Sequence, residues 1–338
     1  MLSLTLAELA GWHPAITEFL ISADAAGAKP ARTLDAWLRA LTDDRLSDIG
    51  MDRDQVLDHL EALAHQVETL RGTSEQSVRS LTVLGGHDKS DRPEVLTLTL
   101  QVGDVLCIVG PTGSGKSRLL ADIECLAQGD TPTGRRVLVN DAPPDPGWRF
   151  ASGRKLIAQL SQNMNFVVDL TVGEFVAMHA DCRMAPNRDA VVREVIACAN
   201  DLAGESFAVG VSLTQLSGGQ TRALMIADTA LLSASPVVLI DEIENAGIDR
   251  KKALALLIAQ EKIVLISTHD PVLALLGSRR IVLRNGAVAE IIETGADEKA
   301  NLAILERIDR SLMEVRHRLR CGQRIDVPLA WPPTLDNE

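Results

Sequence analysis

The chain has 338 residues, enough for about two domains at ~100–200 residues each and for a full core without disulfides or metals. Its 46 acidic and 34 basic residues leave a net charge of −12, and aromatics make up only 3%, with no Tyr. These values exclude a surface built chiefly to grip phosphate backbones and a base-stacking platform, while 46% hydrophobic and 24% charged residues exclude a disordered chain.

Residues 1 to about 75 read as a helical domain, with six basic against thirteen acidic residues. The start has no positively charged region ahead of Glu8, so no secretory signal is expected. Trp12 and Trp37 are candidates for the core of this domain. Its clearest helix starts near Asp52–Asp54, acids suited to a helix N-terminus, and carries the apolar stripe Val56, Leu60, Leu63, Val67 and Leu70. Arg71-Gly72-Thr73-Ser74 reads as a helix stop and linker.

From about 78 to 294, short β-rich runs alternate with helices. The predicted strands are Leu96–Leu100, Val105–Val109, Arg136–Val139, Leu156–Leu160, Val237–Ile240, Ile263–Ile266 and Ile281–Arg284. Continuous apolar runs such as Val237–Ile240 suit strands buried on both faces of an α/β sheet. Asp141–Gly147 is a loop by composition. In the tail, residues 295–338, one amphipathic helix has Leu305, Ile308, Leu312, Val315 and Leu319 on one face. That stripe either docks onto its own domain or meets a partner. No window approaches the ~18 continuous apolar residues of a membrane helix, so no membrane insertion is expected. Five scattered cysteines, Cys107, Cys125, Cys182, Cys198 and Cys321, show no C-x-x-C pair and read as reduced thiols in a cytoplasmic protein.

Three motifs carry chemistry. Gly110-Pro111-Thr112-Gly113-Ser114-Gly115-Lys116-Ser117 follows the strand Val105–Val109 and precedes a helical run, the context that a phosphate-binding loop requires. Its glycines let backbone N–H groups turn inward at phosphate oxygens, and the following helix adds its positive end. Lys116 is placed to reach the β- and γ-phosphates, and the Ser117 hydroxyl to ligate Mg²⁺. Leu216-Ser217-Gly218-Gly219-Gln220 ahead of a helix makes a second anion site, which suggests two copies facing each other. Val237–Ile240 ends in Asp241-Glu242. Acids at the C-terminal end of a buried strand sit where α/β sheets bind ligands, with Asp241 suited to Mg²⁺ and Glu242 to activating water.

The order of these motifs, with Gln162 between the first two and His269 after the last, resembles that of the ATP-binding cassette (ABC) ATPases over residues 78 to 294. The resemblance implies an α/β P-loop NTPase fold with a helical subdomain. The N-terminal helical domain (1–75) and the C-terminal helix and tail (295–338) are extensions not typical of the family. It implies hydrolysis of Mg·ATP in a head-to-tail dimer, either a homodimer or an ABC heterodimer. Ser217, Gly218, Gly219 and Gln220 of one copy then close on the γ-phosphate held by the other copy's loop. Gln162 matches the family's Q-loop glutamine, which touches Mg²⁺ and the attacking water. His269 in Ser267-Thr268-His269-Asp270 matches the switch histidine that contacts the γ-phosphate.

There are departures. Ile243 stands where the family usually has Pro, and the segment Ile243–Asp249 is one residue longer than the common form, so Asp249 is the match for the aspartate that crosses the dimer. The stretch Ser80–His87 carries no aromatic of the kind that stacks on adenine, only His87, which leaves ATP against GTP open. The implied partner is a permease, gripped near Gln162 and the segment 163–180, with the protein cytoplasmic and reaching the membrane's inner face only through that partner. The alternative is a soluble client, a metalloprotein complex being remodelled or assembled, with the acidic N-terminal domain as adaptor. Direct nucleic-acid binding is not expected.

Overall fold

The protein was analysed as a computed structural model, which describes residues 1–12, 14–24, 29–75, 78–150, 155–161, 166–183, 185, 187–242 and 248–326. The chain divides into two compact units, residues 1–77 with 173–194 and residues 78–172 with 195–338.

In the first unit, five helices precede the sheets: α1 (Leu6–Ala10), α2 (Pro14–Asp24), α3 (Leu34–Ala40), α4 (Asp43–Ile49) and α5 (Arg53–Glu75). Helices α1, α3 and α4 each start on a threonine, Thr5, Thr33 and Thr42, whose hydroxyl accepts a backbone N–H of the first turn. Their inward faces converge on Leu9, Ile16, Leu34, Trp37, Val56 and Leu60, all fully buried, with Trp12 packed at the edge. Helix α5 runs through the predicted stop at Gly72 and on to Glu75. One glycine costs about 1 kcal/mol relative to alanine in a helix, too little to end a 23-residue one.

The second unit opens with β1 (Ser80–Leu84), β2 (Thr97–Gln101), β3 (Val105–Val109), α6 (Lys116–Glu124), β4 (Arg136–Val139), α7 (Pro146–Phe150) and β5 (Ile157–Leu160). Next come α8 (Val172–Cys182) and α9 (Arg188–Leu202), whose residues 173–194 belong to the first unit. The order continues α10 (Gly218–Leu231), β6 (Val237–Asp241), α11 (Arg250–Ala259), β7 (Ile263–Ser267), α12 (Pro271–Leu276), β8 (Arg279–Arg284), β9 (Ala287–Glu293) and α13 (Ala296–Arg320).

Strands β5-β6-β7-β3-β8-β9 form one sheet, parallel except for the β8–β9 pair, and β2-β1-β4 form a small antiparallel sheet. Side chains alternate across a strand, so the central strands feed two cores. Leu106, Ile108, Leu239 and Leu265 face α6 and the antiparallel sheet. Val105, Cys107, Val238, Ile240, Val264 and Ile266 face α10, α11 and α12. Burial on both faces explains why these strands read as unbroken apolar runs. Burial also pushes the Cys107 thiol up to about 11.

Three elements differ from expectation. β1 was not among the predicted strands, and β9 is an edge strand with mostly exposed or half-exposed residues and no apolar run. The predicted loop 141–147 ends inside α7, which starts at Pro146, where a missing N–H costs nothing.

At the join between the antiparallel sheet, α6 and the β8–β9 turn lies a fully buried ion cluster. Arg135 donates to Glu94 at 2.7 and 2.9 Å and to Asp122 at 3.1 Å, with side-chain exposures of 0–1%. Its Nη2 also donates to the carbonyl of Gly286 at 2.6 Å. Removing the cation strands two carboxylates out of water. Arg135→Met is therefore expected to cost about 3–5 kcal/mol, read as a fall in the urea midpoint of unfolding.

Candidate functional site

The register of three neighbouring strands assembles the site. Ile108 of β3 and Asp241 of β6 both pair with Ser267 of β7. The phosphate-loop segment, the acidic pair and the histidine segment thus leave the sheet side by side at its C-terminal edge, where such sheets bind ligands.

The loop's backbone needs its glycines. Gly115 has φ +109, and a Cβ there would lie 2.9 Å from the Cα of Gly286. Gly110 has φ +153, and a Cβ there would meet the Leu283 carbonyl at 2.6 Å. The Gly286 N–H donates to the Ser114 carbonyl at 2.8 Å, so the β8–β9 turn clasps the loop from outside. The Lys116 ammonium bonds the carbonyl of Gly110 at 2.8 Å and that of Pro111 at 3.4 Å.

A cleft of about 630 Å³ runs from Thr112, Gly113, Ser114, Gly115, Lys116 and Ser117 to Asp241 and Glu242. Two hydroxyls on its wall, Ser114 Oγ and Ser267 Oγ, are buried without a hydrogen-bond partner among the described residues. Ser217, Gly218, Gly219 and Gln220 are not among the residues lining it. They cap α10 instead: Ser217 Oγ accepts the Gln220 N–H at 3.3 Å, and the Gln220 side chain accepts the Ser217 N–H at 2.9 Å. Gln162 and the segment 243–247 lie outside the described residues. Asp249 caps α11 by accepting the Lys252 N–H at 3.1 Å.

Glu242 has φ +50, an uncommon conformation for a residue with a side chain, and both its backbone groups are held. Its N–H donates to the Ser267 carbonyl at 3.0 Å, and its carbonyl accepts from Arg222 on α10 at 3.0 Å. Its carboxylate lies 3.8 Å from His269 Nδ1, close but beyond a hydrogen bond.

Sequence reasoning passed over three residues here. Arg222, buried on α10, reaches the Glu242 carbonyl. Lys89 lines the cleft and donates to the Gly113 carbonyl at 2.7 Å. Asp88 ties the loop 86–96 together, accepting the N–H groups of Arg92 and Ser90, the Arg92 guanidinium and Asn285 Nδ2. An Asp two and four residues before its partners was the available signal for a side chain folding a loop on itself.

The ABC transporter family profile matches residues 94–245. An ABC transporter ATP-binding protein of Methanocaldococcus jannaschii is 51% identical over 249 residues, which cover 73% of this chain and 95% of the relative. The chain belongs to the ABC family. It binds ATP and is an ATPase. ABC transporter G family member 8 of Arabidopsis thaliana is 30% identical over 57% of this chain, and the match spans only 33% of that protein's length. Among solved structures, an ATP-binding subunit of an ABC transporter superposes with a TM-score of 0.51 at 18% identity, covering 67% of this chain and 99% of that one. A Clostridium perfringens subunit of an ABC transporter complex gives 0.50 at 22% identity, covering 72% and 100%. Both share the P-loop ATPase fold of this ABC protein.

The loop that holds His87, Asp88 and Lys89 against the cleft responds to acid. The backbone N–H of Arg92 foremost, with Ser90, the Arg92 side chain and Asn285, brings Asp88 from 3.8 down to about 2. A depressed carboxyl stabilises fully above its unfolded value and loses that contribution as pH falls through its folded one. In amide exchange, the loop of the parent is expected to lose protection as pH falls below about 3, and that of Asp88→Asn to be less protected than the parent near neutral pH and insensitive to that acid step.

Proposed function

We propose that this ABC ATPase hydrolyses Mg·ATP in a head-to-tail dimer and couples it to a partner protein, as the ATP-binding subunit of a transporter-like system. One observation supports the dimer: the phosphate loop, Asp241 and Glu242 line one cleft, while the capped, glycine-rich start of α10 is not among the residues that line it. A second copy would bring its Ser217, Gly218 and Gly219 to the γ-phosphate, with a helix N-terminus as the added positive charge.

Lys116 would pair with the β- and γ-phosphates, and the loop's N–H groups with the remaining oxygens. The Ser117 hydroxyl and Asp241 carboxylate share the cleft with two unpartnered hydroxyls, an all-oxygen donor set that suits Mg²⁺. Those two residues, with Gln162, would hold the ion, which when bound supplies charge neutralisation at the phosphates. Glu242 takes the proton of the attacking water, its carboxylate aimed by the two bonds that fix its strained backbone. His269 would contact the γ-phosphate beside it. Catalysis is then positioning and electrostatics rather than covalent chemistry.

The domain division at 1–75, 78–294 and 295–338 is proposed on the same footing, with the first segment as adaptor. Among the described residues no helix is long and apolar enough to cross a membrane, so any permease would be a separate chain or segment. A soluble client is the second reading. It is favoured by the quarter or so of the chain left over once the Methanocaldococcus relative, matched over 95% of its own length, is accounted for.

Glu242→Gln is expected to lower kcat by about 10²–10⁴-fold while ATP binding persists, and to elute as a dimer with ATP. Mixing Lys116→Ala with Ser217→Arg should restore activity that neither has alone, because one intact composite site forms; failure to complement would refute the trans arrangement. Affinity capture from membrane and soluble fractions separates the readings of the partner: a co-purifying polytopic protein supports transport, a soluble metalloprotein the alternative.

A further inference from the structure

We infer that Arg250 is a positioning residue for the His269 segment and that the C-terminal helix α13 sets its position. Arg250 opens α11, one residue after the capping Asp249. Its guanidinium bridges two carboxylates: Nη1 donates to Asp270 Oδ2 and Nη2 to Asp309 Oδ2 on α13. All three side chains are mostly withdrawn from solvent, at 15%, 17% and 31% exposure, so solvent screens this bridge less than a surface pair. A planar fork that binds two carboxylates at once fixes both in direction as well as distance.

Asp270 follows His269 directly. Its other oxygen caps α12, accepting the N–H groups of Val272 and Leu273 at 2.8 and 3.1 Å, and its N–H donates to Thr268 Oγ1 at 3.0 Å. Thr268 is tied to β3 through the Ile108 carbonyl at 3.1 Å. The backbone around His269 is thereby pinned on both sides while the imidazole stays 61% exposed beside Glu242. Of these pins, Arg250 leads out of the catalytic edge to the C-terminal helix, and it joins α13 to the Asp249 and His269 segments together.

Asp309 is not needed to dock the helix. Glu298 pairs with Arg280 at 2.5 and 2.9 Å, Glu306 pairs with Lys251, and the Thr294 hydroxyl ahead of the helix donates to the Gly277 carbonyl at 2.6 Å. Beyond Asp309 the helix carries Leu312, Met313 and Leu319 into solvent at 37–57% exposure. The half that reaches the switch and the half open to solvent meet at this residue.

The inference rests on the proposed reading of His269, so the test includes that residue. Steady-state ATP hydrolysis is measured on the full chain and on Asp309→Asn, Asp309→Glu, Glu306→Gln and His269→Ala. Asp309→Asn is expected to lower kcat about 10-fold, with KM for MgATP and the urea midpoint unmoved. Asp309→Glu should restore the rate, and Glu306→Gln, which loosens the same helix without touching Arg250, should match the parent. Equal rates in Asp309→Asn and Glu306→Gln, or a loss that follows the unfolding midpoint, would overturn the inference. An active His269→Ala at the parental rate would instead refute the role given to His269.

Discussion

The parallel register of β3, β7 and β6 is the constraint on which the site depends. Ile108, Ser267 and Asp241 lie in line across the sheet. A slip of one residue would exchange the two faces of a strand, sending Leu239 and Leu265 to the wrong core and carrying Asp241 away from the phosphate loop. Hydrophobic burial and catalytic geometry are therefore specified by the same pairing. Each buried leucine or isoleucine contributes roughly 1.5–3 kcal/mol, and several on each face must be satisfied at once, so the register is held by far more energy than the site could supply.

That surplus bears local strain. Glu242 sits in a left-handed conformation that costs on the order of 1–3 kcal/mol. It persists because Ser267 and Arg222 hold its N–H and carbonyl from two different elements. The phosphate loop is treated alike: its glycines take positive φ, and Gly286, fixed in turn by the buried Arg135, leaves no room for a side chain at Gly115. Both conformations are unfavourable alone and over-determined in place. The groups that would meet phosphate and water are thus set before nucleotide arrives, which is what electrostatic preorganisation requires.

How far this could be read from residues alone divides along physical lines. Strands buried on both faces are unbroken apolar runs, and β3, β6 and β7 were legible almost to the residue. The edge strand β9 is mostly exposed or half-exposed and gave no pattern to find. Glycine spacing revealed the phosphate loop because the backbone conformation demands it. The cradle around that loop was invisible: Arg135, Glu94 and Asp122 are scattered in sequence and meet only through the fold, as do Arg222 and Glu242. The serine of the Leu-Ser-Gly-Gly-Gln turn was legible as a helix start, and its capping box with Gln220 obeys the same spacing rule. The stripe on α13 was legible too, but which half docks depends on Arg250 and Lys251, on a distant helix.

Charge gives a last argument for the proposed second copy. Lys89, Lys116 and Arg118 line the cleft, but so do Asp88, Asp91, Asp241 and Glu242, one carboxylate more than there are cations. A nucleoside triphosphate is a polyanion, and a cleft of this balance cannot neutralise it unaided. Two sources of positive potential remain under the proposed reading. A divalent ion at Ser117 and Asp241 would cancel the acids nearest the phosphates. The start of α10 carries no acidic residue in its first turn, so its dipole is uncompensated by its own side chains. Brought from a second copy, it would face the γ-phosphate across a gap that hydrolysis reopens as the charge departs. Under that reading, the acids that make the cleft a poor anion site by itself would tie the approach of a second copy to the presence of both metal and triphosphate.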